Sequence, residues 1–340
     1  MSSPSLAPSA PSAVTPADAP SRSTAFLVQR TRRRTLISFE VFPPRPEVAP
    51  TQAWQAIDTM AQAGPDYFSV THGHQQSAHA HRELIRHLLE HTEVPVLAHL
   101  ICAGRTQDDL RALVAGLITE GVRDFLALRG DPLPGATEWV DEPSGFNRAA
   151  ELVRAIRQIE EERLHPPAGI GARPISISVA AYPRSGAPRD YSRDLHALWE
   201  KQEAGADYAI TQVFYDAEDY ARLVDDARSQ GIHLPIVAGI APLTSAKRLQ
   251  RLQQITGVPV PEHLLAHLEG VDEAELGRRG VAATLHLIDA VLELGCPGLH
   301  LFTFNRYRAP LSILEHLRIR DAARQHRAGT AAASAATALP

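Results

Sequence analysis

The sequence predicts a single closed α/β barrel, (β/α)8, of eight parallel strands, each followed by helical sequence. Three observations carry this. Short apolar runs rich in Val, Ile and Phe recur eight times, segments with helical spacing lie between them, and polar residues collect at the C-terminal ends of the runs. Parallel strands buried on both faces read as near-continuous apolar stretches, and eight such units close on themselves. Barrels of this type use about 250 residues. The 340-residue chain therefore leaves two ends over: residues 1–24, almost all Ser, Ala, Pro and Thr, and the Ala-rich residues 321–340. Both are expected to be disordered tails around a barrel domain at 25–320, because they hold too little large apolar surface to offset chain entropy.

The strands are expected at 36–42, 67–71, 94–101, 125–128, 175–181, 208–214, 234–237 and 299–303. Between them, Leu110, Leu113, Val114 and Leu117 make one apolar helical stripe. Tyr220, Leu223, Val224 and Ala227 make a second, and Val281, Leu285, Ile288 and Leu292 a third. Gly171, Gly205, Gly231 and Gly295 stand at or near helix-to-strand handovers, where a C-cap needs glycine. The stretch 259–274 is an addition to the seventh unit, expected to hold a short extra helix. A doubly wound open sheet is the alternative, but no Gly-x-Gly-x-x-Gly follows any strand, which counts against a dinucleotide fold of that kind.

Net charge is −5, too mild to suggest nucleic acid, and no stretch approaches the ~18 apolar residues of a membrane span. The N-terminal stretch lacks the apolar run of a secretory peptide. Cys102 and Cys296 are the only cysteines and form no metal or redox spacing, which fits a reducing, cytoplasmic setting. Arg30, Arg32, Arg33 and Arg34 read as a solvated lead-in to the first strand or as a phosphate or polyglutamate contact. Of 16 histidines, His72, His74, His79 and His81 stand close together. They lie on a loop and a helix start without the fixed geometry of a metal site, so surface histidines are expected, with room for one near a ligand, and no metal.

In this fold the active site gathers at the C-terminal strand ends. Glu40 interrupts an apolar run there. A carboxylate in such a mouth is desolvated, which raises its pKa and suits it to acid–base work; the competing reading is a structural ion pair with a rim arginine. Asp131 follows Arg129 and Gly130 and could serve the site or merely fix its loop against Arg129. Gln212 could read the donor–acceptor edge of a heterocycle or be a satisfied core amide. Arg306 could grip a ligand carboxylate or cap the barrel edge.

Taken together, the strand ends resemble the methylenetetrahydrofolate reductases. The residues that carry this are Ser38-Phe39-Glu40-Val41-Phe42-Pro43-Pro44-Arg45, Ser69-Val70-Thr71, Ala98-His99-Leu100, Leu128-Arg129-Gly130-Asp131 and Ala181-Tyr182-Pro183. Ala204-Gly205-Ala206, Ile210-Thr211-Gln212-Val213-Phe214 and Phe302-Thr303-Phe304-Asn305-Arg306 complete the set, in order, over roughly 35–318. The resemblance implies a barrel that holds FAD at its mouth, takes hydride from NAD(P)H and reduces 5,10-methylenetetrahydrofolate to 5-methyltetrahydrofolate for methionine synthesis. It implies that Glu40 is the general acid of folate ring opening and that Asp131 contacts both pterin and flavin. Gln212 and Arg306 match folate-binding positions. Thr71, His72, His99, Arg129, Gly130, Asp131, Ala149, Tyr182, Asp194 and Lys201 fall at positions that hold the flavin or nicotinamide.

Departures from the pattern cluster on the flavin side. His72-Gly73-His74 follows Thr71, Arg148 replaces an aromatic residue, Gly186 stands in a broken Tyr-Pro-x-x-His-Pro pattern, and Trp199 replaces a lysine. Arg248 replaces a glutamine that often touches folate. Rival readings are direct hydride transfer from NADH without flavin, and a folate-binding or one-carbon-transfer barrel that reduces nothing. Family members usually form homo-oligomers. No sequence like the regulatory domain of larger relatives follows the barrel, so control by a methionine-pathway metabolite is not expected.

Overall fold

The computed structural model describes residues 23–29, 34–44, 50–72, 78–132, 135, 139–164, 174–187, 189–270 and 272–337. Eight parallel strands form one closed barrel in chain order: β1 (Leu36–Val41), β2 (Tyr67–Val70), β3 (Val96–Ile101), β4 (Asp124–Leu128), β5 (Ser176–Ala181), β6 (Tyr208–Thr211), β7 (Ile236–Ile240) and β8 (Gly298–Phe302). The helices around it are α1 (Thr24–Gln29), α2 (Pro50–Gln62), α3 (Ala78–His91), α4 (Gln107–Thr119), α5 (Ala149–Arg163) and α6 (Tyr191–Glu203). They continue as α7 (Ala217–Ser229), α8 (Ala246–Thr256), α9 (Glu262–Leu268), α10 (Glu273–Glu293) and α11 (Arg308–Thr337).

All eight expected strands are present. β6 ends at Thr211, before the expected 214, and β7 runs on to Ile240. The three apolar stripes face the core from α4, α7 and α10, and the extra helix of the seventh unit is α9. Gly205, Gly231 and Gly295 take positive φ at helix ends, while Gly171 lies outside the described residues.

Two layers of apolar packing follow from strand alternation. Outward-facing residues such as Phe39, Phe68, Phe125 and Ile177 pack under the helices. Inward-facing Leu36, Tyr67, Leu97, Leu126, Tyr208 and Val237 fill the barrel itself. The N-terminal end is sealed by α1. Thr24 donates its amide and its hydroxyl to Asp124 Oδ1 (2.7 and 2.9 Å), accepts from the Tyr208 hydroxyl (3.0 Å) and lies 2.9 Å from Ser176 Oγ. Burial pushes the Asp124 carboxyl up to about 6, against the pull of the Thr24 hydrogen bonds.

Thr24 therefore belongs to the barrel, not to the tail expected over 1–24; residues 1–22 of that tail, and Arg30, Arg32 and Arg33 of the basic cluster, lie outside the described residues. Arg34 forms a forked pair with Asp66. α11 runs on to Thr337, into the Ala-rich stretch expected as a tail from 321. Its first half is anchored: Asp321 accepts from the Thr35 amide (2.6 Å) and Arg320 pairs with Asp289 (2.7 Å). No helix among the described residues is long and apolar enough to cross a membrane.

Candidate active site

The C-terminal mouth is floored by polar side chains that strand parity turns inward. Register pairs Glu40 with Ser69 on β2 and with Phe302 on β8, and pairs Ser38 with His300. Glu40 is buried, with Oε2 3.4 Å from His300 Nε2 and 4.0 Å from His99 Nε2. His99 Nε2 is 2.6 Å from Ser69 Oγ, and His300 Nδ1 is 2.9 Å from Ser38 Oγ. Burial holds the His99 imidazole well below its ordinary range, with His300, His81 and His72 adding to the effect, so His99 is neutral. Ser38 donates to Leu299 O (3.3 Å), which makes His300 Nδ1–H the donor to Ser38.

Ser38, Ser69 and His300 were not singled out from the sequence. The available signal was parity: Ser38 lies two residues before Glu40, and each of the three is a polar residue inside an apolar strand.

The wall toward β6–β8 suits a flat heterocycle. Gln212, after β6, accepts from its neighbour Val213 N–H through Oε1 (2.7 Å), which fixes the amide and leaves its amino group toward ligand. Phe302, Phe304, Tyr215 and Ala241 pack beside it with Val213. Gly239 is required here, since a Cβ would lie 2.2 Å from Thr211 O and 3.0 Å from the Phe302 ring. Arg306 is exposed at this edge. Arg248, on the first turn of α8, is held below the ordinary guanidinium range by burial and then by Arg306, so two cations share the edge.

The β4–β5 side carries the residues expected to hold a cofactor. Arg129 lies over the Trp139 ring (4.9 Å), and Gly130 at φ +89° leaves no room for a Cβ, which would sit 2.4 Å from Ile101 Cγ2. Asp131 is exposed beyond it, and Ala149 opens α5. Arg189 stacks on Tyr182 at 3.7 Å and forks onto Asp194 through two 2.8 Å bonds. Lys201 is buried, donates to Ala180 O (2.8 Å), and is lowered to about 8 by burial. Arg148 caps α5 and pairs with Glu200 (2.8 Å). Arg129, Arg189 and Lys201 thus put three basic side chains on this wall, Arg189 balanced by Asp194 and Lys201 turned to the Ala180 carbonyl.

Thr71 directly follows β2, while the structure places His72 and His99 off the open wall. His99 sits beneath Glu40. His72 accepts from Arg105 (2.8 Å) and stacks on His81 (4.4 Å between ring centres). His72 and His81 are both buried, which corrects the expectation of surface histidines. Burial lowers His81 to about 3, and its position inside α3's apolar stripe explains why. His74 lies outside the described residues. The opposite end of the barrel has its own cavity of about 660 Å³, but its polar lining, including Arg34, Asp66 and Asp321, is engaged in holding the chain together.

A buried carboxylate at the C-terminal mouth of a (β/α)8 barrel, between a basic wall and an aromatic one, marks this mouth as the candidate active site of an enzyme. A family model for methylenetetrahydrofolate reductase matches residues 27–318. The 5,10-methylenetetrahydrofolate reductase of Salmonella typhimurium is 31% identical over 288 residues, covering 84% of this chain and 91% of that protein. The methylenetetrahydrofolate reductase (NADH) 1 of Zea mays is 30% identical over 297 residues, and the chain spans only 48% of its length. Among solved structures, an uncharacterized protein from Clostridium thermocellum, described as binding two copies of 5-methyl-5,6,7,8-tetrahydrofolic acid, shares the fold. Its TM-score is 0.57 at 15% identity, with 86% of this chain and 99% of that chain covered. The chain belongs to the methylenetetrahydrofolate reductase family, oxidoreductases that reduce methylenetetrahydrofolate to methyltetrahydrofolate.

Proposed function

We propose that this chain reduces 5,10-methylenetetrahydrofolate to 5-methyltetrahydrofolate at the barrel mouth, with FAD reduced by NAD(P)H, and so supplies methyl groups for methionine synthesis in the cytoplasm. The observation that carries the reading is Glu40: a buried carboxylate beside His300, facing a wall built for a flat heterocycle. Protonation of the departing nitrogen lets the five-membered ring open to an iminium, and hydride adds to that carbon to give the methyl group. Glu40 supplies the proton, and the Ser38–His300 pair behind it orients the carboxyl. Gln212 reads the pterin edge, the Phe302–Phe304 wall packs on the aromatic rings, and Arg306 takes a carboxylate of the substrate. Asp131 faces both ligands. Arg129, Gly130, Arg189, Asp194, Lys201, Tyr182, Thr71 and the start of α5 at Ala149 form the cofactor wall, with His72 and His99 behind it. Flavin, when bound, relays hydride between nicotinamide and folate.

Supporting the substrate is the Clostridium thermocellum protein, a barrel of the same fold described as a methyltetrahydrofolate binder. The maize relative's name favours NADH as donor. As in other reductases of this kind, copies of the chain are expected to associate. The absorbance spectrum of the purified protein tests the reading first. A flavin spectrum that bleaches with NADH and returns with methylenetetrahydrofolate is expected. A colourless protein that still oxidises NADH with folate would replace it by flavin-free transfer. Folate binding with no NADH consumption would make it a binding or one-carbon-transfer barrel.

A further inference from the structure

The end of β8 departs from the barrel in a way the catalytic reading does not use. Strand pairing between β1 and β8 stops at Glu40 and Phe302. The chain then turns sharply: Arg306 N–H donates to Thr303 O (2.8 Å), and the two central residues, Phe304 and Asn305, sit at φ 51° and 53°. Turns with both central residues at positive φ favour Gly, Asn or Asp, and an aromatic residue there is strained. Strain of this kind persists only where surrounding contacts hold it.

The holding contacts are explicit. Asn305 Oδ1 accepts from Phe42 N–H (2.8 Å), and Asn305 Nδ2 donates to Phe42 O (2.7 Å). One side-chain amide thus replaces both backbone bonds that a continuing strand would make, and Pro43 next along has no N–H to extend the ladder. The Thr303 hydroxyl donates to the Glu40 carbonyl and accepts from Asn305 N–H (3.2 Å). The Phe42 and Phe304 rings stack at 6.3 Å, 12° apart. Apart from the Asn305–Thr303 bond, each contact crosses from the segment just after β8 to Glu40 or to the residue two beyond it, and Arg306 is the next residue out of the turn.

We infer that Asn305, with Thr303, is a positioning device that fixes Glu40 and Arg306 in one rigid frame, so that the proton donor and the grip on the substrate keep a constant separation. Neither residue touches the reacting atoms. Their effect runs through the backbone of Glu40 and Phe42 and the strained turn that launches Arg306. Reactions that depend on alignment lose about 100-fold for a displacement near 1 Å, and the step that needs both ends of the folate held is the one exposed.

The inference rests on the proposed folate reduction, so the test separates the two. Asn305→Gly keeps a backbone at ease with positive φ and removes only the amide; Thr303→Val removes the hydroxyl, and Thr303→Ser restores it. In the holoenzyme, each half-reaction is followed by flavin absorbance. The ratio of folate reduction to flavin reduction is expected to fall about 10- to 100-fold in Asn305→Gly and Thr303→Val, and to recover in Thr303→Ser. Independently of activity, hydrogen exchange at the Phe42 amide should speed up at least about 10-fold in Asn305→Gly, because its protecting acceptor is gone. An unchanged ratio in Asn305→Gly, or equal losses in both half-reactions, overturns the inference, as does unaltered exchange at Phe42. A wild-type protein that reduces no folate overturns the functional reading instead, and the exchange measurement still decides whether the clamp exists.

Discussion

Two buried carboxylates stand at opposite ends of the same barrel and are treated differently. At the N-terminal end, Asp124 takes two hydrogen bonds from Thr24 and sits among Ser176, Tyr208 and Tyr67 under the cap of α1. At the C-terminal end, Glu40 is almost as buried, yet its contacts with His300 and His99 are long, at 3.4 and 4.0 Å. Buried polar groups are nearly always well satisfied, and long contacts at one of them point to a functional role. Asp124 is fixed because it closes the fold. The Glu40 carboxyl has only long contacts while its backbone carbonyl is held by Thr303, which suits the proton-donor role proposed for it.

This contrast can be broken in four ways. Glu40→Gln should lower folate reduction roughly 10³-fold, within the range expected for losing a general acid, while NADH-to-flavin transfer changes only a few-fold. Comparable losses in both half-reactions, measured by stopped-flow absorbance, would remove the acid role. Asp124 should act on stability instead. Its folded value of about 6 lies above the ordinary 3.8, so its contribution is whole at pH below about 4 and is lost as pH rises through about 6. Compared with Asp124→Asn, the wild type should therefore lose on the order of 2–3 kcal/mol between pH 4 and pH 7 in urea unfolding. A pH-independent difference would show that the carboxyl does not titrate inside the fold.

Thr24→Val leaves Asp124, Ser176 and Tyr208 short of a shared partner and should cost about 1–3 kcal/mol of stability. Activity per folded molecule should hold, and a loss of turnover without a loss of stability would contradict a purely closing role for that end. Asp131→Asn, at the exposed rim, should slow both half-reactions by roughly 10-fold, the size of one charge-assisted hydrogen bond. Unchanged flavin reduction in this variant would take Asp131 away from the cofactor.

The strands were legible because burial on both faces forces apolar runs, and the mouth was legible because Glu40 breaks one of them. The C-terminal extent of α11 was not, since its Ala-rich end carries no periodicity to read. His72 and His81 looked like surface residues because four histidines on a loop and helix start have no sequence mark of burial; only their stacking on each other, the Arg105 hydrogen bond and the packing of α3 put them inside. Arg189 was equally hidden, its loop offering no pattern that predicts a stack on Tyr182.

By itself, the sequence determined the barrel, its strand order and the identity of Glu40, Asp131, Gln212 and Arg306 as strand-end polar residues. These follow from local periodicity and from where a strand stops, both of which are written along the chain. Only the tertiary structure decided that Ser38, Ser69, His99 and His300 converge beneath Glu40, and that Asn305 ties β8 back to Phe42. Those contacts join residues up to 263 positions apart. They depend on barrel closure and register, which no local pattern encodes.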